Sequence, residues 1–219
     1  MNKKNIISLI SALLLTFVGG FCDAYTFIYR EGVFATMQTG NLIKLFVNLT
    51  NGVFKLIYLL PIIVFLLGVI IAVLLEKTKY FSQITLITLL VSYVCAGFCP
   101  QKEAWDIVCV CILSLTGAMQ FEAFRRCLTY RYTSTMCTNN MRLLGKSIAN
   151  RRIKEILVYT SIIATFVIGI VIGVLLGKVM GIYSISLIAS VYLALLIVKL
   201  IAKETPDNES TIDQLKATS

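Results

Sequence analysis

Asp23 is the only acidic residue within the first long apolar segment, and it follows the Gly19-Gly20 pair by three residues. An ionisable group inside such a segment costs about 2.5–3.5 kcal/mol on insertion scales, so it is expected to face a cavity, a partner or an ion. The chemistry open to it is binding of a coupling proton or of a cationic group. The alternative places it near the outer membrane surface, hydrogen-bonded to a neighbouring helix end. Gln120 holds the corresponding place 97 residues on. One carboxylate and one carboxamide suit a polar solute or a single cation better than two equal ion sites. Two further segments, Thr36 to Asn41 and Thr135 to Asn140, are too polar to face lipid and too apolar in their surroundings to be ordinary loops. In them Gly40 could adopt a left-handed backbone, and the hydroxyls and amides of Thr39, Asn41, Thr138 and Asn140 could satisfy broken helix ends or a substrate. The candidate substrate- or ion-binding set is therefore Asp23, Thr39, Gly40, Asn41, Gln120, Thr138 and Asn140. Two readings of the polar segments stay open: short broken or re-entrant stretches that meet near the middle of the membrane, or helix caps at its surface.

Other chemistries lack their parts. There is no histidine, which removes the commonest general base and the commonest transition-metal ligand together. The seven cysteines show no ligand or disulfide spacing, and those in apolar runs read as small packing residues. No Gly-x-Ser-x-Gly elbow, phosphate-binding glycine loop or paired-carboxylate metal motif is found. We therefore expect no enzyme, no catalytic residue, no metal and no cofactor. Glu122 is expected to pair with Arg125 or Arg126, three and four residues onward.

The elements that must position these groups are membrane helices. The chain of 219 residues is 58% hydrophobic and 14% charged, more apolar surface than a soluble domain of this size could bury. Six continuous apolar runs, at 6–28, 53–75, 82–99, 105–124, 155–177 and 181–201, have the length of spanning helices and lack the alternation of barrel strands. The first is retained as a span, because it is too long for a cleavable signal and lacks the small-residue cleavage pattern. Ordered matches recur at nearly one spacing, offset by 97 to 101 residues. Gly20-Phe21-Cys22-Asp23 and Thr36 to Asn41 reappear as Gly117-Ala118-Met119-Gln120 and Thr135 to Asn140, and Gly68 is echoed by Gly169. These predict an internal duplication, with repeat 1 at about 6–99 and repeat 2 at about 105–201. Gly169 and Gly173 read as a helix-packing face.

Charge orients the halves. The loop between the fourth and fifth spans carries Arg125, Arg126, Arg131, Arg142, Lys146, Arg151, Arg152 and Lys154, whereas its counterpart at 29–52 carries only Arg30 and Lys44. Basic loops stay in the cytoplasm, so the net charge of +9 reflects topology and not nucleic-acid binding. Both termini are expected in the cytoplasm. Three spans per half make the second copy enter the membrane in the opposite sense. Tyr25, Tyr29, Tyr130 and Tyr132 are read as interface anchors, and 202–219 as a disordered tail.

The stretch Gly20-Phe21-Cys22-Asp23-Ala24, followed by Gly32-Val33-Phe34-Ala35-Thr36-Met37-Gln38-Thr39-Gly40-Asn41, resembles the amino-terminal signature of the YoaK-like family of bacterial integral membrane proteins, a domain of unknown function. The resemblance runs to about Lys203. It departs in the second half, where Phe121 follows Gln120 and Asn139 stands at a glycine position. It implies a six-span inner-membrane protein with a role in transport and names no substrate.

Together these readings predict an all-α polytopic protein, one transmembrane domain over 1–201, built as two inverted three-helix repeats with short broken segments. The expected function is a small secondary transporter of the bacterial cytoplasmic membrane, moving a small polar solute or ion, with the lipid bilayer as its surroundings and a homodimer plausible at this size. A channel, a lipid-modifying membrane enzyme and a non-transporting scaffold are the competing classes.

Overall fold

The computed structural model describes residues 3–201; the tail expected at 202–219 lies outside the described residues. Among the described residues eight helices follow one another: α1 (Lys3–Tyr29), α2 (Gln38–Thr50), α3 (Leu56–Leu75), α4 (Phe81–Phe98), α5 (Glu103–Ala123), α6 (Thr138–Ala149), α7 (Ile153–Met180) and α8 (Ser184–Ile201). A minimal hairpin of β1 (Arg126–Cys127) and β2 (Tyr130–Arg131) lies between α5 and α6. The two long loops that separated spans in the sequence thus each contain a short helix, α2 in the first and α6 in the second.

Five stretches are long and apolar enough to cross a membrane, and the last, Ile153–Ile201, contains both α7 and α8. Those two helices are not one rod. Gly181, at a φ of 58°, ends α7 and opens a single 3₁₀ turn. Beyond it α8 packs mainly on α4, whereas α7 packs on α1.

Glycine contacts fix the directions. Gly169, Gly173 and Gly177 of α7 abut Phe17, Phe21 and Tyr29 of α1 in the same order, so the two helices run parallel. Helices α3 and α5 also run parallel: Val110 clusters with Ile57 and Tyr58, Gly68 abuts Leu115, and Arg125 just beyond α5 pairs with Glu76 at the end of α3. Helices α4 and α8 are antiparallel, with Phe98 against Tyr183 at one end and Lys199 donating to Ser82 at the other. The same partners recur when the halves are exchanged: α1 with α7 as α5 with α3, and α4 with α8. Tyr93 of α4 and Tyr192 of α8, 99 residues apart, meet edge to face with ring centroids 4.9 Å apart.

The core lies where α1, α4, α5 and α8 meet, around Phe21, Tyr25, Leu89, Tyr93, Leu113 and Tyr192. Outward faces carry large apolar side chains instead, such as Leu66, Ile70 and Leu74 on α3 and Leu157, Val171 and Leu175 on α7. Apolar exposure on that scale needs a hydrocarbon solvent.

Candidate functional site

The site forms where two buried non-helical segments touch between the helices. After α1 the chain reverses through Glu31 and Gly32, both at positive φ (53° and 71°), and runs back into the bundle. Val33, Ala35 and Thr36 are all buried. Thr36 reaches Asp23, six residues and therefore about 9 Å below the end of α1. The second segment enters from the opposite end of the bundle and buries Thr133, Ser134 and Thr135. Close approach needs glycine at two places. A Cβ on Gly19 would overlap the Ser134 carbonyl, and one on Gly117 would sit 2.7 Å from Thr36 Cγ2. Each half thus leaves a gap in its first long helix into which the other half's segment fits.

At the junction, the Thr36 N–H donates to Asp23 Oδ1 at 3.0 Å. Thr36 Oγ1 lies 2.7 Å from Asp23 Oδ2 and 2.9 Å from the carbonyl oxygen of Thr135. The Ala35 N–H donates to Thr26 Oγ1 at 3.2 Å, which ties the same segment to α1 a turn further on. Gln120 plays the matching part on α5. Its Nε2 donates to Ser134 Oγ at 3.1 Å and to the Leu15 carbonyl at 3.2 Å, while Oε1 accepts from the Tyr192 hydroxyl at 2.7 Å. Thr135 Oγ1 is buried and has no hydrogen-bond partner among the described residues.

Of the seven candidate residues, Asp23 and Gln120 therefore reach this junction, through Thr36 and Ser134. Asn41 and Asn140 lie apart from it and serve the backbone. Asn41 Oδ1 accepts from the Phe34 N–H at 2.9 Å and its Nδ2 donates to the Phe34 carbonyl at 2.7 Å. Asn140 does the same with Thr133, at 3.0 and 2.7 Å. Each amide imitates a peptide partner seven residues back and holds its segment extended. Thr39 and Thr138 are exposed on the first turns of α2 and α6, and Gly40 leaves room for the Phe34 ring, 2.8 Å from where a Cβ would stand. The caps of α2 and α6 are Met37 and Cys137, without side-chain hydrogen bonds, so the threonines do not act as surface caps.

Asn41→Ala should leave the Phe34 N–H and carbonyl unpaired, at a cost of about 1–3 kcal/mol. Asn41→Asp should be intermediate, since it still accepts from the N–H but opposes the carbonyl with a second acceptor. Amide exchange at Phe34, faster in Asn41→Ala than in the parent, checks this. Unchanged protection in both variants would refute it.

Sequence reasoning missed the second polar cluster. Arg30, counted above as an outer-loop charge, is fully buried. Its Nη1 contacts Asp106 Oδ1 at 2.7 Å and the Pro100 carbonyl at 3.2 Å. Its Nη2 donates to the Tyr25 hydroxyl and to the Ala96 and Cys99 carbonyls, at 2.7, 3.2 and 2.9 Å. The planar five-donor guanidinium suits this fan of acceptors at the carboxyl end of α4, where the helix dipole also favours a cation. Tyr25 is accordingly a core residue, as is Tyr132, and neither is an interface anchor. At the other end Arg125 bridges Glu76 and, at 3.4 Å, the expected partner Glu122. The cysteines are free among the described residues, and no group of three or more metal-ligating side chains occurs there.

A bundle of long apolar helices around a buried polar junction is the build of a multi-pass α-helical membrane protein. The chain belongs to the family described as Protein of unknown function (DUF1275), whose model matches residues 11–198, in keeping with the resemblance drawn from the Gly20–Asn41 stretch. Comparison with curated proteins and with solved structures returns no match.

Proposed function

We propose that this protein is a small secondary carrier of the bacterial inner membrane, in which two three-span repeats of opposite orientation enclose a polar site at the Thr36–Thr135 junction. The carrying observation is the contact of Thr36 Oγ1 with the Thr135 carbonyl at 2.9 Å, beside the buried carboxyl of Asp23. Equivalent broken segments from the two halves meeting at a buried ionisable group are the arrangement that alternating access uses. Three further features support the reading. Helix packing repeats on exchange of the halves, α1 and α5 run in opposite directions, and Gly181 lets Ile153–Ile201 cross twice. That stretch of 49 residues would extend about 74 Å as one helix, against a hydrocarbon core of about 30 Å.

The basic residues of 125–154 lie at the Arg125 end of the bundle, which the charge rule assigns to the cytoplasm together with both termini. The Arg30–Asp106 cluster then closes the external end, and Asp23 contributes the ionisable group of the site. The test is a thermal-shift screen of the purified protein against small polar solutes and cations, followed by counterflow in proteoliposomes with any ligand found. A solute that raises the unfolding temperature of the parent but not of Asp23→Asn, and that shows saturable counterflow, is the expected result. Single-channel currents would select a channel instead. Stabilisation unaffected by Asp23→Asn would remove the site from this junction.

A further inference from the structure

The hydrogens at the junction do not add up while Asp23 is ionised. Asp23 Oδ2, Thr36 Oγ1 and the Thr135 carbonyl oxygen form a row with spacings of 2.7 and 2.9 Å. A carbonyl only accepts, a carboxylate only accepts, and a threonine hydroxyl owns one hydrogen. With Asp23 ionised, that hydrogen serves one neighbour and leaves two acceptors face to face on the other side. With Asp23 protonated, the acid donates to Thr36 Oγ1 and the hydroxyl donates onward to Thr135, so both spacings become hydrogen bonds. In a buried setting the difference is large, because an unpaired polar contact is not relieved by solvent.

We propose that Asp23 is a proton-binding site, and that its proton decides which acceptor the Thr36 hydroxyl serves and hence whether the two buried segments are tied together. On release, the carboxyl O–H bond breaks, Oδ2 keeps the electron pair and the proton leaves to the aqueous phase. The Thr36 hydroxyl then turns to the carboxylate, which already accepts the Thr36 N–H at 3.0 Å. The Thr135 carbonyl loses its donor, and the tie between the halves opens.

Little else at this depth titrates. The surrounding groups are Cys22 on α1, Tyr93 on α4, Cys109 on α5 and Tyr192 on α8. The other half's segment contributes hydroxyls and carbonyls, and α3 and α7 bring glycine and apolar side chains to the helices that flank the junction. Asp23 makes no ion pair among the described residues, and Arg30, the cation nearest in sequence, is committed to Asp106. The inference rests on the carrier reading only for its meaning as a coupling step, with the proton as the coupling ion; the proton site itself stands on the hydrogen count.

The test is infrared difference spectroscopy of the full-length protein in lipid nanodiscs between acid and alkaline pH. A protonated-carboxyl carbonyl band should be present at acid pH and lost at alkaline pH. It should be absent from Asp23→Asn and shifted in Thr36→Val, where the acid has lost its acceptor. Hydrogen exchange read alongside should show residues 33–36 and 133–135 better protected at acid pH in the parent, after correction for intrinsic rates. In Asp23→Asn, whose amide can donate to Thr36 as the acid does, protection should be independent of pH. No such band at any pH, or one unchanged by Asp23→Asn, overturns the proposal. If Asp23→Asn does not fold, a band unmoved by Thr36→Val overturns it equally. Counterflow without the band would sink the proton site alone, and the band without counterflow would sink the carrier reading alone.

Discussion

Replacing Arg30 with methionine is expected to destabilise the bundle by about 3–5 kcal/mol, the range for breaking one side of a buried ion pair. The loss has two sources that add. Asp106, itself buried, would keep a charge with no counterion, and at the end of α4 the Cys99 carbonyl would lose its donor and the Ala96 and Pro100 carbonyls one of theirs. Arg30→Lys should recover only part, because a compact ammonium cannot span acceptors that a planar fork reaches at once. The double variant Arg30→Met with Asp106→Leu should be more stable than Arg30→Met alone, since it removes the stranded carboxylate. Unfolding of the purified variants by denaturing detergent checks all three. Arg30→Met indistinguishable from the parent would mean that the cluster does not hold α1, α4 and α5 together. In the carrier reading these variants also loosen the external end, so solute leak should rise with them.

That cluster marks where sequence reasoning stops. The long helices were legible because each is an unbroken apolar run, and the two polar segments were legible because the order Asp23 then Thr36 recurs as Gln120 then Thr135, 13 and 15 residues apart. Arg30 was not. In sequence it stands just past a span, beside Glu31, where solvated loop charges usually stand, and its partner Asp106 is 76 residues away. Only the return of the chain at Glu31–Gly32 puts it under α4 and α5. The short helices were hidden for a related reason. Leu42, Ile43, Phe46 and Val47 make one exposed apolar face on α2, but thirteen residues are too few for a spanning helix.

The polar segments were legible only in part. Thr39, Asn41, Thr138 and Asn140 attracted attention as polar groups near apolar runs, yet a polar side chain in such a place more often satisfies its own backbone than a ligand. Asn41 and Asn140 do so through matching pairs of bonds. Thr36 and Thr135 opened the two motifs and carry the junction. Their repetition at one offset was the available signal, because positions that two halves share are also those at which the halves can meet.

Gly169→Leu is expected to abolish the folded bundle, and Gly169→Ala to cost about 1–3 kcal/mol or more, the usual penalty of overpacking. A Cβ at Gly169 would overlap the Phe17 carbonyl oxygen of α1, and one at Gly20 would overlap the Phe166 carbonyl of α7. The two helices touch backbone to backbone at reciprocal glycines, so neither can yield by turning a side chain. Between helices in lipid, that close approach replaces the hydrophobic drive available in water. Gly68, which meets the Leu115 carbonyl at 2.5 Å from its notional Cβ, should respond like Gly169, because α3 and α5 repeat the α1–α7 contact. Gly145 is the control: it sits inside α6 with nothing within 4 Å, so Gly145→Ala should stabilise by about 0.5–1 kcal/mol through the lower entropy of the unfolded chain. Monodisperse yield and detergent unfolding should therefore rank Gly145→Ala at or above the parent, Gly68→Ala and Gly169→Ala well below it, and Gly169→Leu last. Gly169→Ala as stable as Gly145→Ala would show that α1 and α7 do not make this contact. The shared spacing of Gly68 and Gly169 would then lose its physical reason.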